Sequence, residues 1–236
     1  MTSDKHTQLI RYQDCPSTPW KNGGGSTKQL LISPSNADLS NFDYRISIAS
    51  ISSNGPFSSF IGIDRQLVIL EGDGVELNIN SREEAKQLND LGREERILGD
   101  ADTTEYKRLT PADNPFCFAG ETSITSKLLG SDVIDFNVMT KRAAFKALTQ
   151  RLNVNGIFIE KHAVISNTAI DAHHNKTEAP IVQLLCFLDT MTWEHNGESI
   201  KIMPYDILII KPDQDIKLVT TAPSQLLSVT ITACKL

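Results

Sequence analysis

Alternation of apolar and polar residues is the feature that most limits what this chain can become. It runs through Tyr44-Arg45-Ile46-Ser47-Ile48-Ala49-Ser50-Ile51, through Val75-Glu76-Leu77-Asn78-Ile79 and through Leu226-Leu227-Ser228-Val229-Thr230-Ile231-Thr232. A period of two places successive side chains on opposite faces of a strand and cannot form one stripe on a helix. Two shorter runs, Leu67-Val68-Ile69-Leu70 and Ile207-Leu208-Ile209-Ile210, are apolar throughout, as strands buried on both faces are. Turn chemistry separates these segments at Asn54-Gly55-Pro56, Gly72-Asp73-Gly74, Asn114-Pro115 and Asn196-Gly197. Helical signals are sparse. Residues 82–91 read as a charged surface helix and residues 142–152 as a helix by propensity. The expected class is all-β.

A weak internal repeat sets the expected organisation. Residues 65–77 read as strand, glycine turn and strand. Residues 181–193, the turn His195-Asn196-Gly197-Glu198 and Ser199-Ile200-Lys201-Ile202 replay a similar hairpin, and residues 206–212 add a buried strand ended by a proline. That order is how a small jelly-roll barrel of the cupin type reads. Two such units in 236 residues make a bicupin, with units over 1–145 and 146–236 and a hinge within 140–155. The charge-rich stretch 81–115 reads as an insertion in the first unit.

Several partner classes are disfavoured by composition. With 23 Lys+Arg against 29 Asp+Glu, nothing draws the whole chain toward nucleic acid or an anionic membrane. No apolar run reaches the ~18–20 residues of a membrane span, and the polar start Met1-Thr2-Ser3-Asp4-Lys5-His6 carries no export signal. A cytoplasmic protein is expected, without direct nucleic-acid or membrane partners. Cys15, Cys117, Cys186 and Cys234 are scattered, as free thiols are, and Cys117 and Cys186 lie in apolar runs that suggest core packing.

Two groups of polar residues could carry chemistry. In Trp20-Lys21-Asn22-Gly23-Gly24-Gly25-Ser26-Thr27, three glycines allow positive φ or close backbone approach. The GxxxxGK[ST] spacing of a phosphate loop is absent, and Trp20, Lys21 and Asn22 favour a binding loop of another kind. The second group is charge placed inside strands. Parity puts Arg45 with Ser47 and Ala49, and puts Asp135, Asn137 and Met139 opposite Phe136 and Val138. Arg65 opens the apolar run 67–70. A buried guanidinium needs a carboxylate. For Arg45 that is either Asp135 or the carboxylate of a ligand gripped by a bidentate fork in a barrel mouth.

Taken in order, residues 20–27, Phe42-Asp43-Tyr44-Arg45-Ile46-Ser47-Ile48-Ala49, Gly55-Pro56-Phe57-Ser58, Gly62-Ile63-Asp64-Arg65 and Asp135-Phe136-Asn137-Val138-Met139-Thr140-Lys141-Arg142 resemble the HutD/Ves family. The resemblance implies a bicupin encoded beside histidine-utilisation genes, a role in controlling that pathway, and no known catalytic activity. It further implies a polar pocket for a small carboxylate such as formate or urocanate. By position its residues here are Trp20, Lys21, Asn22, Arg45, Ser47, Arg65, Asp135, Asn137 and Arg142. Tyr44 stands where tryptophan is frequent, Lys141 where arginine is frequent, and 81–115 is longer than usual.

Catalytic alternatives find less support. Many cupins hold a divalent metal through an HxH pair, a carboxylate and a later histidine. His6, His162, His173, His174 and His195 contain no HxH, and adjacent His173 and His174 point apart on an extended chain. No metal or other cofactor is expected. Ser58 is not in a GxSxG elbow, and the phenylalanines around Cys117 quiet a thiol. Asp135 could act as a base only with a raised pKa, and a nearby arginine lowers it. The expected activity is binding of a small carboxylate by a sensor or modulator of histidine use. Arg45 forks the carboxylate, Trp20 offers an aromatic face, and Asn22, Ser47 and Asn137 give directional hydrogen bonds. Asp135 orients an arginine or accepts from an imidazole N–H, while Arg65 and Lys21 add positive potential. The alternatives are a metal-independent isomerase or hydrolase acting on a small acid, and an interaction module with a vestigial pocket. Pairing of sheet edges would make a homodimer.

Overall fold

The computed structural model describes residues 7–80, 104–160, 180–211 and 214–234. Two compact units divide the chain: Ser17–Ala143, and Ala144–Leu236 together with Met1–Pro16. The internal step lies between Ala143 and Ala144, and Met1–Pro16 group with the second unit. The reason is a sheet edge. Strand β1 (Gln8–Ile10) pairs antiparallel with β17 (Ile207–Ile210), matching Gln8 to Ile209 and Ile10 to Ile207. It covers backbone groups that an open edge would leave unpaired.

In the first unit, β2 (Ser17–Pro19), β3 (Gly25–Ser33), β4 (Tyr44–Ile51), β11 (Val133–Lys141), β6 (Ile63–Glu71) and β9 (Phe116–Ala119) form one sheet in the order β2-β3-β4-β11-β6-β9. A second sheet has the order β5 (Gly55–Pro56), β10 (Ser123–Leu128), β7 (Val75–Asn80), β8 (Thr104–Leu109). Their facing sides close a barrel core in which Leu67, Ile69 and Val133 meet Val75, Leu77 and Ile124. In the second unit, β1 and β17 are followed by β14 (Pro180–Phe187), β19 (Ser224–Ala233) and β12 (Phe145–Val154). The opposing sheet is β13 (Ile157–Glu160), β18 (Ile216–Val219), β15 (Met191–His195) and β16 (Glu198–Ile202). Its core holds Leu185, Phe187, Trp193, Leu208, Leu218 and Leu226.

The repeat is more complete than the sequence suggests. Strands β4 to β11 and β12 to β19 have one topology: β9-β6-β11-β4 corresponds to β17-β14-β19-β12, and β5-β10-β7-β8 to β13-β18-β15-β16. Each set of eight antiparallel strands in two sheets is a jelly roll. Residues 65–77 do not form a hairpin, because β6 and β7 lie in different sheets and Gly72-Asp73-Gly74 turns the corner between them. The β15–β16 connection is a true two-residue hairpin, with Asn196 at φ 51 and Gly197 at φ 82 as a primed turn requires.

Three further expectations change. Residues 145–154 are the strand β12, not a helix; an unbroken ladder from Phe145↔Ala233 to Val154↔Ser224 overrides helix propensity. Within the supposed insertion, residues 104–109 are β8, an integral barrel strand paired along β7. The helix expected at 82–91 lies outside the described residues. Cys186 is buried as expected, but Cys117 is exposed. On β9 the alternation turns Phe116 and Phe118 toward the core and leaves Cys117 outside.

Strand β11 has six consecutive buried residues, Asp135 to Thr140. Phe136 is fully buried. Phe136→Ala is expected to destabilise the protein by about 3–5 kcal/mol, read as a lowered urea midpoint with an unchanged far-ultraviolet spectrum before the transition.

Candidate functional site

Register brings the in-strand charges together. Met139 lies opposite Arg45 on β4 and Arg65 on β6; Asn137 lies opposite Ser47 and Leu67; Asp135 lies opposite Ala49 and Ile69; and Val133 pairs with Ile51. Directly opposed residues share a face, so a polar tract descends one inner face of the first barrel and ends on the apolar Ile51–Val133 rung. Strand β3 extends the rungs with Gln29 opposite Ser47 and Thr27 opposite Ala49. Two bulges flank the tract, one between Gln29 and Leu31 and one beside Asp135. Bulges bend a strand and re-aim the side chains beside them.

The two arginines are held differently. Nε of Arg45 donates to Gln29 Oε1 at 3.0 Å and Nη1 donates to Ser47 Oγ at 3.2 Å, with Met139 Sδ 3.8 Å away. Arg45 therefore leans along its own strand from the Met139 rung to the Ser47 rung, where Gln29 is exposed, in the direction of Asp135. Arg65 is buried and donates through Nη1 to the Ser58 carbonyl at 3.3 Å. Its guanidinium carbon stands 4.8 Å from the ring centre of Phe118, 5.4 Å from Phe57 and 5.8 Å from Phe60. That aromatic cage stabilises a cation without neutralising it. Among the described residues neither arginine forms an ion pair with Asp135, so the internal pair considered for Arg45 is not made. Among the described residues Nε of Arg65, Oδ1 of Asp135 and Oδ1 of Asn137 are buried with no hydrogen-bond partner.

Burial sets the titration of this cluster. It lowers Arg65 to about 10, with Asp135 opposing and Arg45 adding to the shift, and it lowers Arg45, against Asp135. Asp135 is only 4% exposed, and burial pushes its carboxyl up to about 7 although both arginines pull it down. Removal from water outweighs the arginines, which overturns the expectation that they would depress Asp135.

The remaining candidate residues have other places. Nε1 of Trp20 donates to Thr27 Oγ1 at 2.8 Å, which ties the indole to the rung containing Asp135. The glycines have a structural reason: a Cβ on Gly25 would press into the Ser50 carbonyl and the Trp20 ring, and the tight β2–β3 turn is closed by Gly23 N–H donating to the Trp20 carbonyl. Asn22 Oδ1 accepts from Gly24 N–H within that turn, and Lys21 is exposed on it. Arg142 donates to both carboxylate oxygens of Glu121 at 2.6 and 2.8 Å, to Asp64 at 2.5 Å and to the Ile63 carbonyl at 3.1 Å. It ties strand ends together. Sequence reasoning missed Gln29, Met139 and the Phe57, Phe60 and Phe118 cage. Phe57 stood in a quoted motif, and Met139 shared the face of Asp135.

The second barrel lacks this charge. Phe187 is its last inward residue before the turn to β15, as Ile69 is before β7, and it pairs with Leu226. Counting along the ladders from that rung, Leu148, Gln183 and Leu226 occupy the places of Arg45, Arg65 and Asp135. A divalent metal does not fit the first barrel either, because two guanidinium groups beside Asp135 would repel a cation. Among the described residues no group of three or more His, Cys, Asp or Glu is placed to hold a metal ion, and His173 and His174 lie outside those residues.

A jelly roll repeated in one chain, with a buried and a half-buried arginine on an inner face of one copy, defines a bicupin with a cationic barrel. The chain belongs to the HutD family, whose model matches residues 12–228. A Pseudomonas putida protein described as an uncharacterized 21.2 kDa protein in the hutC 3' region is 32% identical over 192 residues, 81% of this chain and 88% of that protein. Protein Ves of Cronobacter sakazakii is 34% identical over 133 residues, 56% of this chain and 59% of its own. HutD from Pseudomonas fluorescens, solved in a formate condition, superposes with a TM-score of 0.67 at 23% identity, covering 98% of this chain and 100% of that one. A Lactobacillus farciminis oxalate decarboxylase in a formate complex gives 0.57 at 7% identity, covering 100% and 89%, a likeness of fold alone. No helix of the described residues is long and apolar enough to cross a membrane.

Two stability outcomes follow from this geometry. The folded pKa of Asp135 lies above its unfolded value of about 4, so its contribution to stability falls as pH rises from about 4 to about 7 and is level above that. Urea unfolding at pH 5 and pH 8 should show wild type losing a few kcal/mol relative to Asp135→Asn across that interval. Arg142→Ala leaves the buried Glu121 carboxylate without its fork and is expected to cost roughly 1–3 kcal/mol, measured as a lowered urea midpoint.

Proposed function

We propose that the first barrel binds a small carboxylate of the urocanate or formate class, and that the protein acts as a non-enzymatic sensor or modulator of histidine utilisation. The observation that carries this reading is the pair of arginines on one inner face, with Arg65 Nε unpartnered and no ion pair to Asp135. A buried cation such as Arg65 without a bonded counter-ion is costly, and an entering carboxylate supplies both the charge and the missing acceptor. Arg45 forks the anion from the exposed end, and Arg65 meets it from the aromatic cage. Ser47 and Asn137 direct it, and Trp20 flanks the tract through Thr27. The pathway assignment is supported by the family and by the relative encoded in the hutC 3' region.

One observation favours a second reading. A carboxyl raised to about 7 is poised as a general base near neutral pH, which suits a metal-independent isomerase or hydrolase acting on a small acid. Proton NMR of urocanate with stoichiometric protein over hours separates the two: an unchanged spectrum supports the sensor, and new resonances support the enzyme.

Calorimetric titration with formate and urocanate, without added metal, tests the proposal. Saturable one-site binding is expected, and a ligand at ~100 Kd should add ~2.7 kcal/mol to stability. Arg45→Ala is expected to weaken binding at least about tenfold, the equivalent of one charge-assisted hydrogen bond, with an unchanged circular dichroism spectrum. Unaltered affinity in that variant would remove Arg45 from the site.

A further inference from the structure

The arginines that would receive an anion are the same two that act on Asp135. Arg45 on β4 and Arg65 on β6 flank β11, and Asp135 feels both. Among the described residues the other groups turned to this core are uncharged on β3, β4 and β11, namely Thr27, Gln29, Ser47, Ala49 and Asn137. The opposing sheet presents Val75, Leu77 and Ile124, its charged groups on that face being Lys107 and Glu105 of β8, opposite Leu77 and Ile79 and both exposed. A carboxylate bridging the guanidinium groups therefore arrives beside a second carboxyl group that is itself buried. Two carboxylates at close range in such a place do not both stay ionised; one takes a proton. The free Oδ1 of Asp135 supplies the geometry for the pair to share it.

We propose that Asp135 binds the ligand as a carboxylic acid, donating its O–H to the bound carboxylate, so that the barrel takes up its anion together with one proton from solvent. This rests on the carboxylate-binding reading above and adds the residue that selects the ligand. An anion that accepts strongly from an O–H, as a carboxylate does, gains the added short charge-assisted bond. Chloride and nitrate, weaker acceptors, gain less. The two arginines provide attraction, and Asp135 provides discrimination and a dependence on pH. At pH above its free-state value, binding must first protonate Asp135, so affinity falls as pH rises.

Formate is the probe, since it has no titrating group above pH 6 and any pH dependence belongs to the protein. Its Kd for wild type should rise toward tenfold per pH unit between about pH 7.5 and 8.5, below the range where Arg65 loses its proton. Titration at pH 8 in phosphate and in Tris, whose ionisation heats differ, should show uptake approaching one proton per formate bound. Asp135→Asn should still bind formate, with a Kd level over the same interval and no proton uptake. The two-buffer measurement needs only wild type, so the test stands even if the variant does not fold. Binding with no proton exchange, or with proton release, overturns the role of Asp135 and leaves the carboxylate site in place. Absence of saturable binding from pH 6 to 8.5 overturns both.

Discussion

Strand β11 must satisfy two environments on alternate residues, and the first barrel is organised around that demand. Phe136 and Val138 are buried on one face while Asp135 and Asn137 point into the polar tract on the other. Neighbours β4 and β6 keep the same parity, so Ile46 and Val68 pair with the apolar face, and Arg45 and Arg65 with the polar one. A slip of one residue would exchange the two faces, placing Phe136 among the arginines and Asp135 in the apolar layer. Register is thus fixed by the cost of a misplaced charge as much as by the gain of burying phenylalanine. It also explains why Arg65 can be buried at all: its place on β6 sets it inside a cage of three phenylalanines supplied by β9 and the loop before β6.

The second barrel shows the same topology without the electrostatic cost. Leucine and glutamine stand where the first barrel has its charges, and its core extends through Phe187, Leu208, Trp193 and Leu226. Strand order and alternation are sufficient to build the jelly roll; the arginines and the aspartate are not needed for it. Chemistry has been placed on one copy of a repeated scaffold, which is the usual relation between a site and its fold.

The β class, most strands and the face-mates of Arg45 within β4 and of Asp135 within β11 are legible because parity in a strand is a local rule, whereas the register that sets Arg65 on the same face is not. What was illegible depended on partners far away in sequence. Residues 145–154 have helical propensity, and only the ladder to β19 makes them a strand. Cys117 looked buried because its neighbours are phenylalanines, yet alternation sends it outward when they turn inward. Arg142 read as a pocket residue until Glu121 and Asp64 were seen to occupy its guanidinium. Asp135 was misjudged because proximity to arginine is visible in a motif and desolvation is not. The glycine run suggests a binding loop, and the close approach it permits at Gly25 is to Trp20 and the Ser50 carbonyl within the protein.

The N-terminal strand has a consequence for how the chain can be divided. Residues 17–143 are continuous and form one barrel, whereas the other is assembled from both sides of it, with Gln8 paired to Ile209. A fragment beginning at residue 144 would carry β17 with a bare edge, open to pairing with another chain. Residues 17–143 are one unbroken stretch, the other unit is a two-piece object, and a cut between Ile10 and Ser17 separates β17 from the strand that covers its edge.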